Sequence, residues 1–520
     1  MIHTKSSITI LFFISATVLL LSCGTDREVT VVDRDPDAAD VDLADEGDVG
    51  EQVLRIGELN PIRSLDPLYA VNTTSRRAVT QLYEGLVRFD ENNEIQPAGA
   101  RSWDVSNDSL TYTFRLNRDV YFHDSEVFHN GIGRRVRAED YKQAFLRMAS
   151  PDVPSQAAEL FLDHIRGFEA YYREQREVYF PEDRFVDDIE GIQVRNDSTL
   201  VFRLNEPSEN FLKKLASPYA VVYPREAVQD ENYSLRHDPV GSGPFTMENT
   251  VGDSIYVLGQ NEQYLNHATE ESGHQIDRLE ILHIPDETRL FRQLSMENLD
   301  MIVDLGPQMI AEVVDSNNTL HEAYASDFDL KVNERSEPVT LEFNPTNRYR
   351  LSREHAIALS RKLSEDAFVH YSGIPSMQVT YHYPGDEDTD SDEDEYQDDE
   401  YYSNLKDRFA ADGDEALPVA FQRDTDVALI TGMLLNQLSD ELEFSLIPRR
   451  ISSRDIFMYS SRPVLSSPFE QTAVGNNEIL RINYDRYLIT NKETEGIYLN
   501  NLAWWLDLSR ATVPEVEPEI

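Results

Sequence analysis

His123 and His129 enclose Asp124 and Glu126, and this grouping comes closest in the sequence to a metal site. Imidazole and carboxylate groups are common zinc ligands. The surrounding residues are polar and typical of a loop, so exposed polar side chains are the alternative, and the sequence favours it. We therefore expect no metal here.

Motifs that carry a catalytic nucleophile, a catalytic base or a phosphate site are absent from the sequence. It contains no Gly-x-Ser-x-Gly, no His-Glu-x-x-His, no phosphate-binding glycine loop and no Cys-x-x-Cys. An enzyme would need a convergent nucleophile and base that the sequence does not reveal. We expect a protein that is not an enzyme and needs no cofactor, with an exported hydrolase as the less favoured alternative.

Residues 386–400 form an acidic run of eleven acids without a base, in which Asp390, Asp392 and Asp394 alternate as in a calcium loop. An EF-hand loop requires glycine at its sixth position and glutamate at its twelfth. Neither stands there when the count begins at Asp388 or at Asp390. The run is therefore interpreted as a disordered surface loop.

Cys23 is the only cysteine of the 520 residues, so an intramolecular disulfide is impossible. It follows Lys5 and an uncharged apolar run over residues 8–21, which is too short to span a bilayer comfortably. Ser22 before the cysteine completes a pattern that resembles a lipobox, at which an exported protein is cleaved and its cysteine receives diacylglycerol. The pattern predicts a signal peptide over residues 1–22 and a lipid anchor at Cys23. The alternative is a plain signal peptide with an accidental cysteine.

The chain is strongly acidic, with 47 basic against 95 acidic side chains and a net charge of −48. Residues 24–51 contribute a net charge of −9 and residues 386–400 contribute −11. When these and the single lysine of the predicted signal peptide are set aside, the remaining residues carry a net charge of −29. Low hydrophobicity and like charge predict a disordered tether over residues 23–52. The remaining surface repels nucleic acid and anionic lipid headgroups, so we expect no nucleic-acid partner. Such a surface is typical of a saline habitat or of simple solubility.

Beyond residue 53 the apolar pattern alternates between strands and helices, over a length sufficient for two or three domains. Residues 53–56, 110–116 and 199–204 are predicted as strands, and an Asn-Asp turn precedes each of the last two. Residues 137–148 place their apolar side chains on one helical face. Residues 418–446 indicate a strand, a helix and a strand, which implies parallel pairing with a right-handed crossover. The predicted fold class is mixed α/β.

Short sequence blocks within residues 53–370 resemble, in their order and spacing, the family 5 extracytoplasmic solute-binding proteins of oligopeptide and dipeptide ABC importers. The blocks are residues 64–67, 81–87, 103 with 111–116, 135–141, 240–245, 261–264, 277–288 and 341–344. No single block is diagnostic. The resemblance rests on all of them together.

The resemblance implies a two-lobed α/β fold like that of the type II periplasmic binding proteins, with an extra subdomain in the first lobe. The expected parts are a first lobe over residues 53–283 with an inserted subdomain at about 96–214, a second lobe over residues 284–474 with the acidic loop at 386–400, and residues 475–520, which return to the first lobe and end in a tail. Crossovers between the lobes are expected near residues 282–285 and 475–480.

Two groups of residues in the first lobe are the candidates for ligand contact. They are Leu68, Tyr69 and Asn72 beside an Asp-Pro turn, and Gly243, Pro244 and Phe245 in a glycine-rich turn. Glycine lets the backbone closely approach either a ligand or a crossing chain segment, so a structural turn is the competing interpretation of the second group. A surface loop is the competing interpretation of the first.

The second lobe departs from the family pattern, which has an aromatic Asp-Pro segment whose acid meets the amino terminus of the ligand. No good counterpart lies between residues 447 and 477, and the chain looks shortened there by several dozen residues. Phe469 and Glu470 occupy about that place, and Glu470 is the candidate substitute for the missing acid.

The resemblance implies capture without chemistry. The lobes would close by hinge bending over a peptide or another small solute, and the closed form would be recognised by the membrane subunits of an ABC permease. We expect a monomer in the cell envelope, on the periplasmic side, held at the membrane by its lipid anchor. A diverged binding lipoprotein that no longer serves transport remains an alternative.

Overall fold

The structure is a computed structural model. It describes residues 51–230, 232–252, 254–264, 276–333, 339–343, 352, 355, 378–381, 416–421, 445–449, 458–461, 478–483, 485–500 and 502–513. The expected signal peptide, Cys23, nearly all of the tether, the acidic loop, Phe469 and Glu470 lie outside these residues.

Nineteen strands and eight α-helices have described bounds. The strands are β1 (Val53–Glu58), β2 (Val87–Phe89), β3 (Ile95–Pro97), β4 (Ala100–Val105), β5 (Thr111–Leu116), β6 (Ile192–Asn196), β7 (Thr199–Arg203), β8 (Phe245–Val251), β9 (Ile255–Gln260), β10 (Arg278–His283), β11 (Met301–Val303), β12 (Phe328–Asn333), β13 (Val339–Phe343), β14 (Gln378–Tyr381), β15 (Ala416–Phe421), β16 (Ser445–Arg449), β17 (Met458–Ser461), β18 (Glu478–Asn483) and β19 (Arg486–Asn491). The helices are α1 (Thr73–Leu82), α2 (Ala138–Met148), α3 (Gln156–Glu159), α4 (Phe168–Glu177), α5 (Phe211–Leu215), α6 (Arg225–Gln229), α7 (Glu287–Ser295) and α8 (Pro307–Val313), with 3-10 turns at Pro67–Tyr69 and Pro181–Asp183. Among the described residues, no helix combines the length and the apolar character that a membrane crossing requires.

A seven-stranded sheet of order β12-β19-β11-β1-β10-β9-β8 holds the centre of the first part of the chain. Strand β1 lies inside it and runs parallel to both β10 and β11. Leu54 and Ile56 of β1 are buried, as their apolar pattern predicts. Strand β19 returns from the C-terminal part and pairs antiparallel between β11 and β12.

A four-stranded antiparallel sheet of order β4-β5-β7-β6 lies within the interval where the sequence predicts an inserted subdomain. Phe114 of β5, Phe145 of α2 and Phe202 of β7 pack edge to face, with ring centroids 5.8 Å and 5.2 Å from Phe202. These side chains belong to the same hydrophobic core as Leu54 and Ile56. The predicted strand over 110–116 and helix over 137–148 are therefore present and join this core.

A six-stranded sheet of order β14-β18-β13-β17-β15-β16 is formed by the later strands. Strands β15 and β16 pair in parallel, as predicted for residues 418–446. The chain passes from the seven-stranded to the six-stranded sheet between β12 and β13, and returns between β18 and β19.

The position of the first passage differs from the crossover expected near residues 282–285. Strands β11 and β12 follow that point in the chain, yet both pair in the seven-stranded sheet. The apolar pattern of a strand followed by a helix is the same whether the next strand joins the sheet of the preceding strand or a different sheet. The sheet that a strand joins depends on its long-range partner, which local periodicity does not reveal.

Candidate ligand-binding region

Asn72 is the N-cap of helix α1 and is buried. Its side-chain oxygen accepts a hydrogen bond from the Ser75 backbone N–H at 3.3 Å, and its amide nitrogen donates to the Pro61 carbonyl at 2.8 Å. Asparagine at this position satisfies a backbone donor that the helix itself leaves open. Asn72 therefore has a structural role, and both the oxygen and the nitrogen of its side-chain amide already make hydrogen bonds within the protein.

Leu68 and Tyr69 lie in the 3-10 turn just before α1. Leu68 is buried in the core. Tyr69 is half-buried, its hydroxyl donates to the Asp152 carbonyl at 2.6 Å, and the Arg236 guanidinium lies 3.8 Å from the centre of its ring. Of the three predicted residues near this turn, Tyr69 alone keeps partial exposure.

Asp66 fixes the turn from which this group projects. Its carboxylate caps the 3-10 turn by accepting from the Leu68 N–H at 3.2 Å. The same carboxylate receives both Nη groups of Arg147, at the end of α2, one of them at 2.9 Å. Arg147 also lies over the Tyr223 ring, 5.2 Å from its centre. The Asp-Pro block thus joins the seven-stranded sheet region to α2.

Gly243 and Gly241 pack against the C-terminal end of α1. A Cβ atom added at Gly243 would lie 2.5 Å from the Leu82 carbonyl carbon and 2.7 Å from the Tyr83 nitrogen. One added at Gly241 would lie 2.0 Å from the Leu82 oxygen. The Gly243 N–H donates to that oxygen at 3.0 Å. The close approach that the glycines permit is therefore to a crossing chain segment, in agreement with the structural interpretation of this turn.

His123 holds the same glycine segment from its other side. Its Nε2 lies 3.1 Å from the Gly243 carbonyl oxygen, and its Nδ1 accepts from the Gly241 N–H at 3.3 Å. Both ring nitrogens are thus used by the backbone, which fits the neutral ring with hydrogen on Nε2. Burial lowers the pKa of His123 to about 4.

The interpretation of the two histidines as exposed is correct for His129 and wrong for His123, which is buried. Asp124, which lies between them, accepts from the Gly133 N–H at 2.7 Å. The described part of the chain contains no group of three or more His, Cys, Asp or Glu side chains placed to hold a metal ion.

Phe245 begins β8 and is buried, while Pro244 is partly exposed and its carbonyl accepts from the Asn261 N–H at 2.8 Å. The glycine-rich group lies at the C-terminal end of α1, and Asn72 lies at its N-terminal end. A helix of ten residues is about 15 Å long. The structure consequently places the two predicted groups at opposite ends of one helix and does not bring them into a single site.

Sequence reasoning missed a buried ionic cluster at one edge of the seven-stranded sheet. Arg77 of α1 binds Glu58 at the end of β1, and its second nitrogen donates to Asp304, just after β11, at 2.7 Å. Arg486 of β19 lies 3.4 Å from the same Asp304 oxygen. Arg77 also donates to the Ala503 carbonyl at 2.9 Å. The partners of Arg77 lie 19 to 426 positions from it in the chain, so no local motif could have marked them.

The edge that carries this ionic cluster is the one where α/β proteins bind ligands, beyond the carboxyl ends of parallel strands. Burial, with Asp304 nearby, raises the pKa of Glu58 to about 7 against the attraction of Arg77. Asp304 has a left-handed backbone with φ of 63°, which is unusual for a residue other than glycine. The cluster binds α1, β1, β11 and the C-terminal segment together and so gives this edge a fixed shape.

The fold is shared with solved solute-binding structures. The structure of Haemophilus influenzae OppA in complex with the peptide RPPGFSPFR aligns over 89% of this chain and 99% of that chain, with a TM-score of 0.70 and 15% identity. This likeness establishes the fold, which is that of the two-lobed periplasmic binding proteins, as expected from the sequence.

Relatives with similar sequences cover only part of the chain. Heme-binding protein A of Haemophilus influenzae is 29% identical over 245 residues, which are 46% of this chain and 41% of that protein. Di/tripeptide-binding protein 4 of Pseudomonas aeruginosa is 28% identical over 202 residues, which are 38% of this chain and 35% of that protein. The chain thus matches less than half the length of each of these relatives.

The model of the bacterial extracellular solute-binding proteins, family 5, matches residues 94–355. That interval includes the four-stranded sheet, the glycine-rich turn and strands β8 to β13. It is half of the chain and agrees with the blocks that the sequence presents in the same order. The protein therefore belongs to family 5 of the bacterial extracellular solute-binding proteins.

Proposed function

We propose that this protein is the substrate-binding lipoprotein of a peptide-type ABC importer, which captures its ligand outside the cytoplasm and delivers it to a membrane permease. The observation that carries the proposal is the family match over residues 94–355. A relative named for di- and tripeptides and a shared fold with a peptide complex support the choice of ligand. Another relative is named for heme, so the experiments must be able to reject peptide.

The proposed mechanism is capture by closure. Two chain passages connect the seven-stranded and six-stranded sheets, and lobes joined in this way can close by hinge bending. Ligand bound in the closed form shifts the population toward a shape that a permease can recognise. An extended peptide gains affinity through main-chain hydrogen bonds, while hydrated pockets tolerate different side chains. No bond is made or broken.

Peptide binding is tested by calorimetry with a mixed pool of tri- to pentapeptides, beside the same pool N-acetylated. A buried ammonium group without a carboxylate costs several kcal/mol, so the amino terminus of a bound peptide needs an acidic partner. If Glu470 supplies it, free peptides bind better than acetylated ones and Glu470→Gln removes that preference. Glu478→Gln serves as the matched control, because the same change is made at a neighbouring glutamate.

The possible outcomes of the peptide experiment separate the alternatives. Equal binding of both pools would show that the protein binds peptides without recognising their amino terminus. Failure of both pools to bind a protein that is folded by circular dichroism overturns the peptide proposal. That result would favour a diverged binding lipoprotein that does not serve transport.

Anchoring is tested separately, at Cys23. Detergent-phase partitioning of the membrane fraction should place the natural protein in the detergent phase, and Cys23→Ser should move it to the aqueous phase, because the thiol that accepts diacylglycerol is gone. A natural protein that already partitions into the aqueous phase would contradict the anchor and leave ligand capture untouched.

A further inference from the structure

A surface pocket of about 370 Å³ lies where three chain segments of the four-stranded sheet region meet. Its lining comprises Asn117 and Arg118 after β5, Arg135 and Val136 before α2, Asn196 at the end of β6, and Asp197 and Ser198 in the turn before β7. None of these residues belongs to the predicted ligand site. The volume is within the range of pockets that take small molecules.

Backbone hydrogen bonds fix the walls of this pocket. The Leu116 N–H donates to the Ser198 carbonyl and the Ala138 N–H donates to the Asp197 carbonyl, each at 2.9 Å. The Val136 N–H donates to the Val120 carbonyl at 3.0 Å. The three segments are therefore tied to one another, and the pocket has a defined shape before any ligand arrives.

The polar groups that line the pocket offer donors, while most of their acceptors are occupied. The Asn117 side-chain oxygen accepts from the Asp119 N–H at 3.1 Å, and the Asn196 side-chain oxygen accepts from both the N–H and the hydroxyl of Ser198. The Arg135 Nε donates to the Arg118 carbonyl. Within the described part of the chain, the Arg118 guanidinium, the Arg135 Nη groups and the Asn117 amide nitrogen make no hydrogen bond or ion pair.

Arg118 and Arg135 are exposed and have no carboxylate partner among the described residues, in a chain whose acids outnumber its bases by 95 to 47. The one carboxylate in the lining, that of Asp197, is 84% exposed and lies 4.0 Å from Arg137. Among the described residues it forms no ion pair with Arg118 or Arg135, so the two guanidinium groups of the lining have no carboxylate partner. Guanidinium groups bind carboxylate and phosphate oxygens through short, charge-assisted hydrogen bonds.

We propose that this pocket is a second binding site, which takes a small anion of carboxylate or phosphate chemistry. Arg118 and Arg135 supply the charge, and the Asn117 amide supplies a neutral donor. Asp197 at the rim weakens the site for the most highly charged anions.

The experiment is calorimetric titration of the folded protein with citrate and, separately, with inorganic phosphate in 0.1 M sodium chloride. At this ionic strength the Debye length is about 10 Å, so the repulsion by the distant acidic surface is screened while contacts inside the pocket persist. The two probes distinguish carboxylate from phosphate. Arg118→Gln should weaken the better probe by roughly tenfold, the usual effect of losing one charged hydrogen bond.

Two further variants make the result specific to this pocket. Asp197→Asn should strengthen binding by roughly two- to threefold, because it removes the one negative side chain of the lining. Arg173→Gln is the matched control: Arg173 is an exposed arginine of α4 paired with Glu169, and its loss should leave affinity unchanged. Absence of binding by either probe overturns the proposal, and so does an Arg118→Gln affinity equal to that of Arg173→Gln.

Discussion

At the scale of single residues, His123 stabilises the folded protein only in its neutral form. Its Nδ1 must accept a hydrogen bond from Gly241, which a protonated ring cannot do. The pKa of His123 is about 4 when folded, below the value of about 6.5 for an unfolded histidine. Between these values the unfolded chain binds the proton and the folded chain does not. Stability from His123 is therefore fully present above pH 6.5 and is lost as the pH falls toward 4.

We predict that His123→Gln changes the pH dependence of stability. Glutamine can replace the ring's hydrogen bonds only imperfectly, so the variant should lose about 1–2 kcal/mol of unfolding free energy at pH 7.5. It carries no titrating ring, so its deficit should disappear or reverse by pH 4.5, where the natural protein has lost up to about 3 kcal/mol. Urea unfolding at pH 7.5, 6.0 and 4.5 measures the difference.

The histidine comparison needs a control because other groups titrate in the same range. The raised pKa of Glu58 has the opposite sign, and its contribution is present below about pH 4.5 and is lost as the pH rises through about 7. His129→Gln removes an exposed histidine and should follow the natural protein at each pH. A constant deficit of His123→Gln from pH 7.5 to 4.5 would contradict the proposed role of the neutral ring.

At the scale of elements, local patterns were sufficient to predict strands β1, β5, β7 and β15 and helix α2, because each has a clear apolar period. The parallel pairing of β15 with β16 was also predicted, from the strand-helix-strand pattern of the local sequence, and is confirmed. The pairing of β1 with β10, which joins Val53 to Arg278, could not be predicted in this way. For the same reason the first passage between the sheets was expected too early in the chain.

The candidate site was harder to predict than the fold. The sequence marked Asn72 because it lies beside the Asp-Pro turn, and Gly243 because glycine permits close contact, and the structure places the contacts of both within the protein itself. Glu58 and Asp304 were missed because their common partner, Arg77, lies on a third element. Residue type indicates what a side chain can do, whereas its partner is set by packing between distant segments.

Gly243 provides a test of the contact between the glycine-rich turn and α1. Gly243→Ala puts a methyl group against the backbone of Leu82 and Tyr83, which cannot rotate away, so we expect a loss of about 3 kcal/mol of unfolding free energy. Gly131→Ala is the control: Gly131 has φ of 74° and no atom within 4 Å of the added Cβ, so only left-handed strain of about 1–2 kcal/mol remains. If Gly243→Ala keeps full stability and loses ligand affinity, the turn contacts ligand and the structural assignment is wrong.

The ion pair between Asp66 and Arg147 joins the Asp-Pro turn to α2. Asparagine can still cap the turn, so Asp66→Asn isolates the charge. We expect a loss of about 3–5 kcal/mol, because the Arg147 guanidinium stays largely buried without its partner. Glu169→Gln breaks the exposed pair with Arg173 and should cost less than about 1 kcal/mol. If urea unfolding gives similar losses of unfolding free energy in the two variants, the buried pair stabilises the protein no more than the exposed pair does.

At the scale of the whole molecule, two properties follow from different parts of the sequence. The two passages between the sheets, on which the proposed hinge closure depends, arise from long-range strand pairing. The net charge of −48 arises from composition alone and does not select a fold.

We predict that added salt raises the melting temperature of this protein. Its exposed carboxylates repel one another in the compact state, and that repulsion weakens as the Debye length falls from about 10 Å at 0.1 M to about 3 Å at 1 M salt. Scanning calorimetry at pH 7.5 should show the steepest rise at low salt and a plateau toward 1 M, with sodium chloride and potassium chloride giving equal curves, since screening depends on ionic strength. A melting temperature that is flat from low to molar salt would show that the acidic excess does not strain the folded state. A rise that differs between the two salts, or continues linearly without a plateau, would assign the effect to specific ion binding or to salt exclusion from the surface.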